Sequence, residues 1–219
     1  MKGANQALAT VDGQKRYDYI VSVLQREQSR SRTWNVAWTL LATAGTGASY
    51  LGAQLGDDLF DDPEKAENFE AAQYVSVVKA SIGVVTFALL PLKIPQINYG
   101  QVSGLATCKQ VAVAENLLRT AAKKQRLKRL LDHLSVVVIN AASFLYLYLE
   151  RDDLSGAILN TISGAAFGEL KAWTSPMGAI DALNAYKRGD ITSQAAPPRW
   201  GLFPHPVPNG GAISLVRSF

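Results

Sequence analysis

Four polar side chains lie inside otherwise apolar stretches of the sequence, and they are its first candidates for chemistry. They are Lys79, Asn140, Asn160 and Glu169. An ionisable group inside a membrane-length apolar segment marks an ion or substrate path when it faces the interior of a helical bundle. A lysine near a helix end can instead extend its ammonium to the membrane surface. Both interpretations of Lys79 stay open on the sequence alone.

The expected depths of these residues divide them into two groups. Asn160 is expected near the depth of Lys79, and Asn140 near that of Glu169. Lys79 and Glu169 are expected to differ in depth by roughly two helical turns, or ~12 Å, which is too far for a direct ion pair. A polar path between them is a hypothesis, and each could simply reach its nearer membrane surface.

Enzyme chemistry has little support from the remaining residue types. The two histidines, His133 and His205, are not paired with other metal ligands, and the sequence contains no nucleophile elbow, phosphate-binding loop or dinucleotide fingerprint. Asp132 and His133 lie beside a basic cluster that could hold a phosphate, but adjacent residues on a helix point in different directions. We therefore predict no catalytic residue, no metal site and no cofactor.

The acidic segment 57–70 allows two interpretations. Its carboxylates could bind a divalent cation, but their spacing does not match a calcium loop and no glycine occupies the required turn position. A helix start fits the residues better, with Asp62 as the N-cap, Pro63 at the first helical position and Glu64 in the first turn.

Long apolar elements must position these polar residues. Four stretches nearly free of charge occur, at residues 34–56, 71–92, 133–149 and 154–170. Each is close to the roughly 20 residues that a helix needs to cross a bilayer core of about 30 Å. Because Gly, Ala, Ser and Thr are frequent in these stretches, a soluble helical bundle is the alternative.

The sign of the charge alternates between the segments that flank these stretches. Basic residues dominate the segment before Trp34, the segment 93–132 and the C-terminal tail, whereas the connections 57–70 and 150–153 are acidic. By the positive-inside rule, the basic segments lie in the cytoplasm and the acidic connections lie outside. A soluble four-helix bundle has no reason to sort its connections in this way.

The sequence thus predicts an all-α fold: a four-span transmembrane helical bundle in an inner or cytoplasmic membrane, with both termini cytoplasmic. Residues 1–33 are expected to form a cytoplasmic amphipathic helix. Residues 34–174 form the membrane domain, which includes a cytoplasmic amphipathic helix at 103–132 between spans 2 and 3. Residues 175–219 form a cytoplasmic helix and a tail in which "RWGLF" and "AISLVRSF" pair as a small β-hairpin.

Cap and breaker residues set the expected helix ends. Pro91 ends the second span, and Ser103 caps the helix that leads into the third span. Ser175 caps the last helix, Pro176 begins it and Gly189 ends it.

Small residues supply the expected contacts between helices. Glycine and serine at four-residue spacing let helix backbones approach closely in lipid. The expected packing positions are Gly45, Ser49, Gly156, Gly164 and Gly168. Ala44 and Ala48 form a further pair at the same spacing.

A basic cluster immediately before the third span is expected to attract anionic lipid headgroups. Its residues are Lys123, Lys124, Arg126, Lys128 and Arg129. Nucleic-acid binding is the alternative for a basic helix. The adjacent span and the absence of base-reading aromatic residues nearby disfavour that alternative, so the expected partners are lipids and no nucleic acid.

Two classes of function stay open. The first is a structural or assembly subunit without catalytic chemistry, which packs through small-residue helix faces in a homo-oligomer or a larger membrane complex. The second is a small transporter, channel or lipid-binding protein that uses Lys79 and Glu169. A transporter usually has more intramembrane polarity or an internal repeat, so the sequence favours the first class.

Overall fold

The computed structural model describes residues 11–191, 199–207 and 210–218. The described residues form seven helices: α1 (Gly13–Ala53), α2 (Gly56–Leu59), α3 (Pro63–Leu89), α4 (Tyr99–Val102), α5 (Thr107–Arg151), α6 (Leu154–Thr174) and α7 (Gly178–Lys187). Helices α2 and α4 are single turns, and the other five have ten residues or more. The prediction of a helical fold is confirmed at this level.

Helix α1 is one continuous element. Asp12 accepts a hydrogen bond from the backbone N–H of Lys15 at 3.1 Å, which satisfies one of the free donors at the helix start. The sequence contains no proline between Gly13 and Ala53. The predicted N-terminal amphipathic helix and the predicted first span are therefore parts of the same helix, rather than two elements divided near Trp34.

The caps of α3 follow the sequence prediction. Asp62 is the N-cap and accepts a hydrogen bond from the backbone N–H of Glu64, and Pro63 is the first helical residue. The helix ends at Leu89, two residues before Pro91, as expected for a residue that cannot continue a helix. The predicted second span extended to residue 92, which is three residues too far.

Two predicted helix starts are wrong. Ser103 is the C-cap of α4, and α5 begins four residues later at Thr107. Helix α7 begins at Gly178 with Met177 as its N-cap, rather than at Ser175 and Pro176. Its first amides are instead satisfied by Glu27 and Gln125, which the local sequence could not indicate. The predicted stop at Gly189 is confirmed, since this glycine has a φ of 79°.

Two antiparallel strands, β1 (Arg199–Val207) and β2 (Gly210–Ser218), follow the helices. Their register pairs Trp200 with Arg217 and Val207 with Gly210. The pairing therefore includes residues that the sequence analysis assigned to the connection between the strands. Residues 192–198, 208–209 and 219 of the predicted tail, and residues 1–10 of the predicted N-terminal segment, lie outside the described residues.

The chain divides into two compact units. The first unit contains the described residues of Met1–Trp34, Leu92–Lys128 and Thr174–Phe219. The second unit contains Asn35–Pro91 and Arg129–Trp173. Helices α1 and α5 each contribute residues to both units.

The first unit has an apolar core. Large side chains of α1, α5 and α7 are buried there and pack on one another, among them Ile20, Leu24, Leu118, Ile180 and Leu183. The apolar side chains of the predicted N-terminal amphipathic helix thus pack against other helices. Burial of this kind is the main source of helix stability in globular proteins.

The second unit has an interior of mixed polarity. One apolar cluster consists of Ala71, Leu147 and Ala157, with Ala72, Val75 and Phe144 packed against it, and Trp38, Phe87 and Val136 are also buried in this unit. Asn140, Ser143 and Asn160 are buried nearby in the same unit.

Two described helices, α3 and α5, are long and apolar enough to cross a membrane by length and composition. Helices α1 and α6, which contain the predicted first and fourth spans, do not meet the same measure. Frequent Gly, Ser, Thr and Asn lower their mean hydropathy. The four-span bundle therefore stays a proposal.

Candidate functional site

A hydrogen-bonded group centred on Lys79 lies inside the second unit. The Lys79 ammonium donates to the backbone carbonyl of Asn160 at 3.1 Å and to its side-chain Oδ1 at 2.7 Å. The Asn160 amide in turn donates to the carbonyl of Ala72 at 3.2 Å and to Ser76 Oγ at 2.9 Å. Asn160 therefore uses both its donor and its acceptor groups between α3 and α6.

Helical spacing explains why α3 can form this group. Ala72, Ser76 and Lys79 are separated by four and three residues, so they lie on one face of the helix. Gly164 lies one turn beyond Asn160 on α6. A Cβ at Gly164 would overlap with Lys79 Nζ and with Asn140 Oδ1. The glycine thus makes room for the ammonium between the helices.

Asn140 completes the group from α5. Its Nδ2 donates to the carbonyl of Val136 at 2.8 Å. Its Oδ1 is buried and has no hydrogen-bond partner among the described residues. A buried acceptor without a partner costs free energy and marks a place where a donor would bind favourably. Among those residues, Lys79 also forms no ion pair, so its charge is balanced by neutral oxygens alone.

A groove of about 750 Å³ runs along the same part of the second unit. It is lined by α3 from Glu67 to Ile82 and by α5 from Val138 to Arg151. Charged and aromatic residues lie toward one end, and aliphatic residues line the other. A volume of this size falls in the range of about 300–1,000 Å³ that is typical of small-molecule sites.

Glu169 belongs to a second polar group, on α5 and α6. It pairs with His133 at 2.9 Å, and Lys171 pairs with Asp132 at 3.0 Å. The guanidinium of Arg129 lies 4.7 Å from the ring centroid of Trp173, a cation–π distance.

The two groups correct one expectation about depth. The prediction that Lys79 and Glu169 are too far apart to pair agrees with their separate contacts, with Asn160 and His133 respectively. Asn140, however, lies beside Lys79 at Gly164 rather than with Glu169. The partner of Glu169 is His133, a pairing that the sequence did not indicate.

The predicted packing positions have different surroundings. Gly164 and Gly168 face side chains of neighbouring helices, since a Cβ at Gly168 would overlap with Val136. Gly156 lies against the Asp153 carboxylate, which accepts its backbone N–H at 2.8 Å. A Cβ at Gly45 would meet no described atom within 4 Å, and Ser49 is only partly buried.

The residues of the predicted basic cluster differ in their exposure and contacts. Lys123, Lys124 and Arg126 are exposed. Lys128 lies 5.4 Å from the ring centroid of Trp34, and Arg129 stacks on Trp173 as described above. Three cations of the cluster are thus exposed, although Lys124 also donates to the carbonyl of Lys93 at 3.5 Å, while two lie against aromatic rings.

Buried polar contacts in the first unit have no signal in the sequence. The Glu27 carboxylate is fully buried and accepts hydrogen bonds from Gln125 Nε2 and from the backbone N–H of Gly178, both at 2.9 Å. Arg30 pairs with the same carboxylate at 3.2 Å. Gln125 Oε1 also accepts from the N–H of Ala179. These two side chains hold the N-terminus of α7, where negative charge is favourable.

A second polar group of the first unit joins α1, α5 and α7. Arg16 pairs with Glu115, and the Tyr186 hydroxyl donates to the same carboxylate. Arg16 Nε also donates to the Tyr186 oxygen at 2.8 Å. Burial, followed by the hydrogen bond to Glu115, raises the pKa of Tyr186 to about 12.

The described part of the chain offers no set of metal ligands. No group of three or more His, Cys, Asp or Glu residues there is placed to hold a metal ion. The carboxylates of the segment 57–70 include the helix cap Asp62, whose oxygen is used by the amide of Glu64.

Comparisons with known proteins add no relative. No family model, no curated protein and no solved structure matches the chain.

Proposed function

We propose that the chain is an integral membrane protein with four spans and that it acts as a structural or assembly subunit without catalytic chemistry. The observation that carries this proposal is the extensive exposed aliphatic surface of the second unit. Its buried side chains include Asn140, Ser143 and Asn160 beside Trp38 and Leu147, while most of its large aliphatic side chains are exposed. Leucine and valine residues more than half exposed include Leu40, Leu51, Val78, Val137, Leu149 and Leu159.

In water this arrangement is unfavourable, because soluble monomers rarely expose large contiguous apolar surfaces. In a bilayer it is the expected one, since lipid tails solvate the aliphatic side chains and polar side chains bond to one another inside the bundle. Besides the single turn α2, the helical segments of this unit are 35–53, 63–89, 129–151 and 154–173. The shortest of these four, 35–53, is about 28 Å long at 1.5 Å per residue, close to the thickness of a bilayer core.

Residues available for assembly lie on α1. Ala44, Gly47 and Ala48 are exposed at three- and four-residue spacing, and a Cβ at Gly47 would meet no described atom within 4 Å. The glycine face of α6 is occupied inside the chain by Lys79, Asn140 and Val136, so it supports the fold rather than an oligomer. We assign the homo-oligomer contact to the α1 face instead.

Membrane topology is tested by extraction and labelling. In a Cys108→Ser background, single cysteines replace the exposed residues Asp61, Lys123 and Asp190. We expect the protein to resist carbonate extraction and only the Asp61→Cys variant to react with an impermeant thiol reagent added from outside. Release by carbonate with equal reactivity at all three positions would show a soluble bundle and overturn the proposal.

Assembly is tested by Gly47→Leu. Because the position is open, the leucine should not disturb the monomer, but it should prevent close approach of a second copy. Ala141→Leu, an exposed small residue on α5, is the matched control. We expect crosslinked oligomer to be lost in Gly47→Leu and retained in Ala141→Leu. Equal oligomer in both variants would exclude this contact.

A second candidate function, a small transporter, channel or lipid-binding protein, is favoured by the Lys79 group and the groove beside it. Lys79→Met removes the charge and keeps an unbranched side chain. If a flux across proteoliposomes disappears in this variant while membrane insertion and oligomer are unchanged, the second function replaces the first. Glu169→Gln tests the other intramembrane charge in the same assay.

A further inference from the structure

We infer that the groove of the second unit binds one phospholipid whose headgroup carries both a phosphate and a primary ammonium. This inference rests on the proposed membrane insertion and deepens the lipid-binding alternative by naming the ligand. The groove has one charged end, formed by Glu67, Glu70 and Arg151, with Tyr74 and Tyr146 next to them. Its other end is aliphatic and includes Val78, Ile82 and Val138.

The charges at the polar end match a zwitterionic headgroup. Arg151 can bind the phosphate, and the carboxylates of Glu67 and Glu70 can accept hydrogen bonds from an ammonium. No ion pair or hydrogen bond uses these three side chains within the described part of the chain. The two carboxylates disfavour a headgroup with net negative charge. A quaternary ammonium has no N–H to donate to them, so a primary amine fits better.

The length of the groove matches one leaflet. Glu67 and Ile82 are fifteen residues apart on α3, or about 22 Å at 1.5 Å per residue. Half of a bilayer, headgroup region included, is about 20–22 Å thick. A lipid with its headgroup at Glu67 would therefore bring its chain ends to the level of Ile82.

Lys79 does not offer an alternative headgroup site. Its ammonium donates twice to Asn160, so an anion in the groove would have to compete with those bonds. The part of Lys79 that lines the groove thus serves as aliphatic wall between Val78 and Ile82.

The test is native mass spectrometry of the full chain in detergent, titrated with phosphatidylethanolamine, phosphatidylcholine or phosphatidylglycerol of identical acyl chains. We expect phosphatidylethanolamine to bind about tenfold more tightly than phosphatidylglycerol, a modest difference for charge-assisted hydrogen bonds. The double variant Glu67→Gln/Glu70→Gln should bring the two affinities to within about twofold. Glu64→Gln, which changes a neighbouring carboxylate outside the groove, should leave the preference unchanged.

The aliphatic end is tested separately. Val78→Trp should fill the groove and abolish the preferred binding, whereas Val85→Trp, exposed on the same helix but outside the groove, should not. Helical content of each variant is checked by circular dichroism. Equal binding of the three lipids by the wild-type chain, or equal effects of the groove variants and their controls, overturns the inference.

Failure of this site and failure of membrane insertion have different readouts. A chain that resists carbonate extraction but binds the three lipids equally is a membrane protein without this site. A chain that carbonate releases loses both proposals together.

Discussion

The two units of this protein differ in how many large aliphatic side chains they expose, although they share two continuous helices. On α5, Leu118 belongs to the first unit and is fully buried, whereas Leu134 belongs to the second unit and is 56% exposed. On α1, Leu24 is buried and Leu40 is 60% exposed. Helix propensity is the same for all four leucines, so it cannot explain the difference. The difference lies in the packing around each part of the helix.

The first unit is built as a protein in water is built. Its aliphatic side chains form the core, and its buried charges, such as Glu27, have several hydrogen-bond donors. In the second unit, neutral oxygens accept the hydrogen bonds of a lysine, and most large aliphatic side chains are exposed. One continuous helix can thus be buried in one unit and expose its leucines in the other, and this difference leads to predictions for each unit.

The largest difference is expected between two leucines of the same helix. Leu118→Ala should lower the free energy of unfolding by about 2–5 kcal/mol, because it leaves a cavity in a packed core. Leu134→Ala should lower it by less than about 0.5 kcal/mol, because the side chain is exposed. Denaturant titration of detergent-solubilised protein, followed by tryptophan fluorescence, measures both. Similar losses for the two variants would remove the distinction between the units.

A buried carboxylate of the first unit should have the next largest effect. Glu27→Ala removes three hydrogen bonds to a charged acceptor, one of them from Arg30, and leaves the N–H of Gly178 without its partner. We expect a loss of about 3 kcal/mol in the free energy of unfolding.

Hydrogen exchange at the Gly178 amide gives a local measurement of the same contact. Glu27→Gln, which keeps one acceptor oxygen, should retain part of the protection that Glu27→Ala loses. Unchanged exchange in Glu27→Ala would mean that the carboxylate does not hold the start of α7.

In the second unit, we expect the effects of substitutions at Lys79 and Asn160 on the free energy of unfolding to be coupled, and each to be modest. Asn160→Ala should lower the free energy of unfolding by about 1–2 kcal/mol, because the Lys79 ammonium loses an acceptor. Adding Lys79→Met should recover most of that loss, because no buried charge then needs a partner. A double-mutant cycle in detergent measures the coupling free energy, and simple additivity of the two changes would contradict it.

The smallest effect near neutral pH is expected at Tyr186. Its pKa in the folded chain, about 12, is above the unfolded value near 10. The neutral hydroxyl therefore contributes stability below pH 10, and that contribution is lost as the pH rises through about 12. The charged and titratable groups that face it are Arg16, Glu115 and Tyr19.

The variant Tyr186→Phe isolates this effect. Between pH 10 and 12 the wild-type chain should lose stability more steeply than Tyr186→Phe, and the two should have parallel pH dependence between pH 6 and 9. Tyrosinate absorbance and denaturant titration at each pH provide the measurement. A wild-type curve that parallels the variant up to pH 12 would show that the hydroxyl ionises without cost to the fold.

Local signals in the sequence predicted several elements correctly. Asp62 and Pro63 begin α3, Pro91 follows its end, and Gly189 ends α7. Each of these depends on backbone groups within a few residues, so the local sequence is sufficient. Ser175 and Pro176 also carry a local signal, but Glu27 and Gln125, far away in the chain, satisfy the first amides of α7 instead.

The candidate site was predicted in part. Lys79 and Asn160 stand out as polar residues in apolar stretches, and their depths could be compared from residue counts along each helix. The position of Asn140 could not be found in this way, because it depends on how α5 and α6 pack at Gly164. The pairing of Glu169 with His133 depends on the same helix packing.

The sequence by itself determined the start of α3 at Asp62 and Pro63, the end of α7 at Gly189, which segments are apolar, and how charge is sorted between their connections. Those properties depend on residue type and on neighbours a few positions away. Only the tertiary structure decided which face of each helix is covered, that Gly164 admits the Lys79 ammonium, and that Glu27 holds α7. These contacts join residues that are distant in the chain, and their energies depend on helix packing that no local pattern specifies.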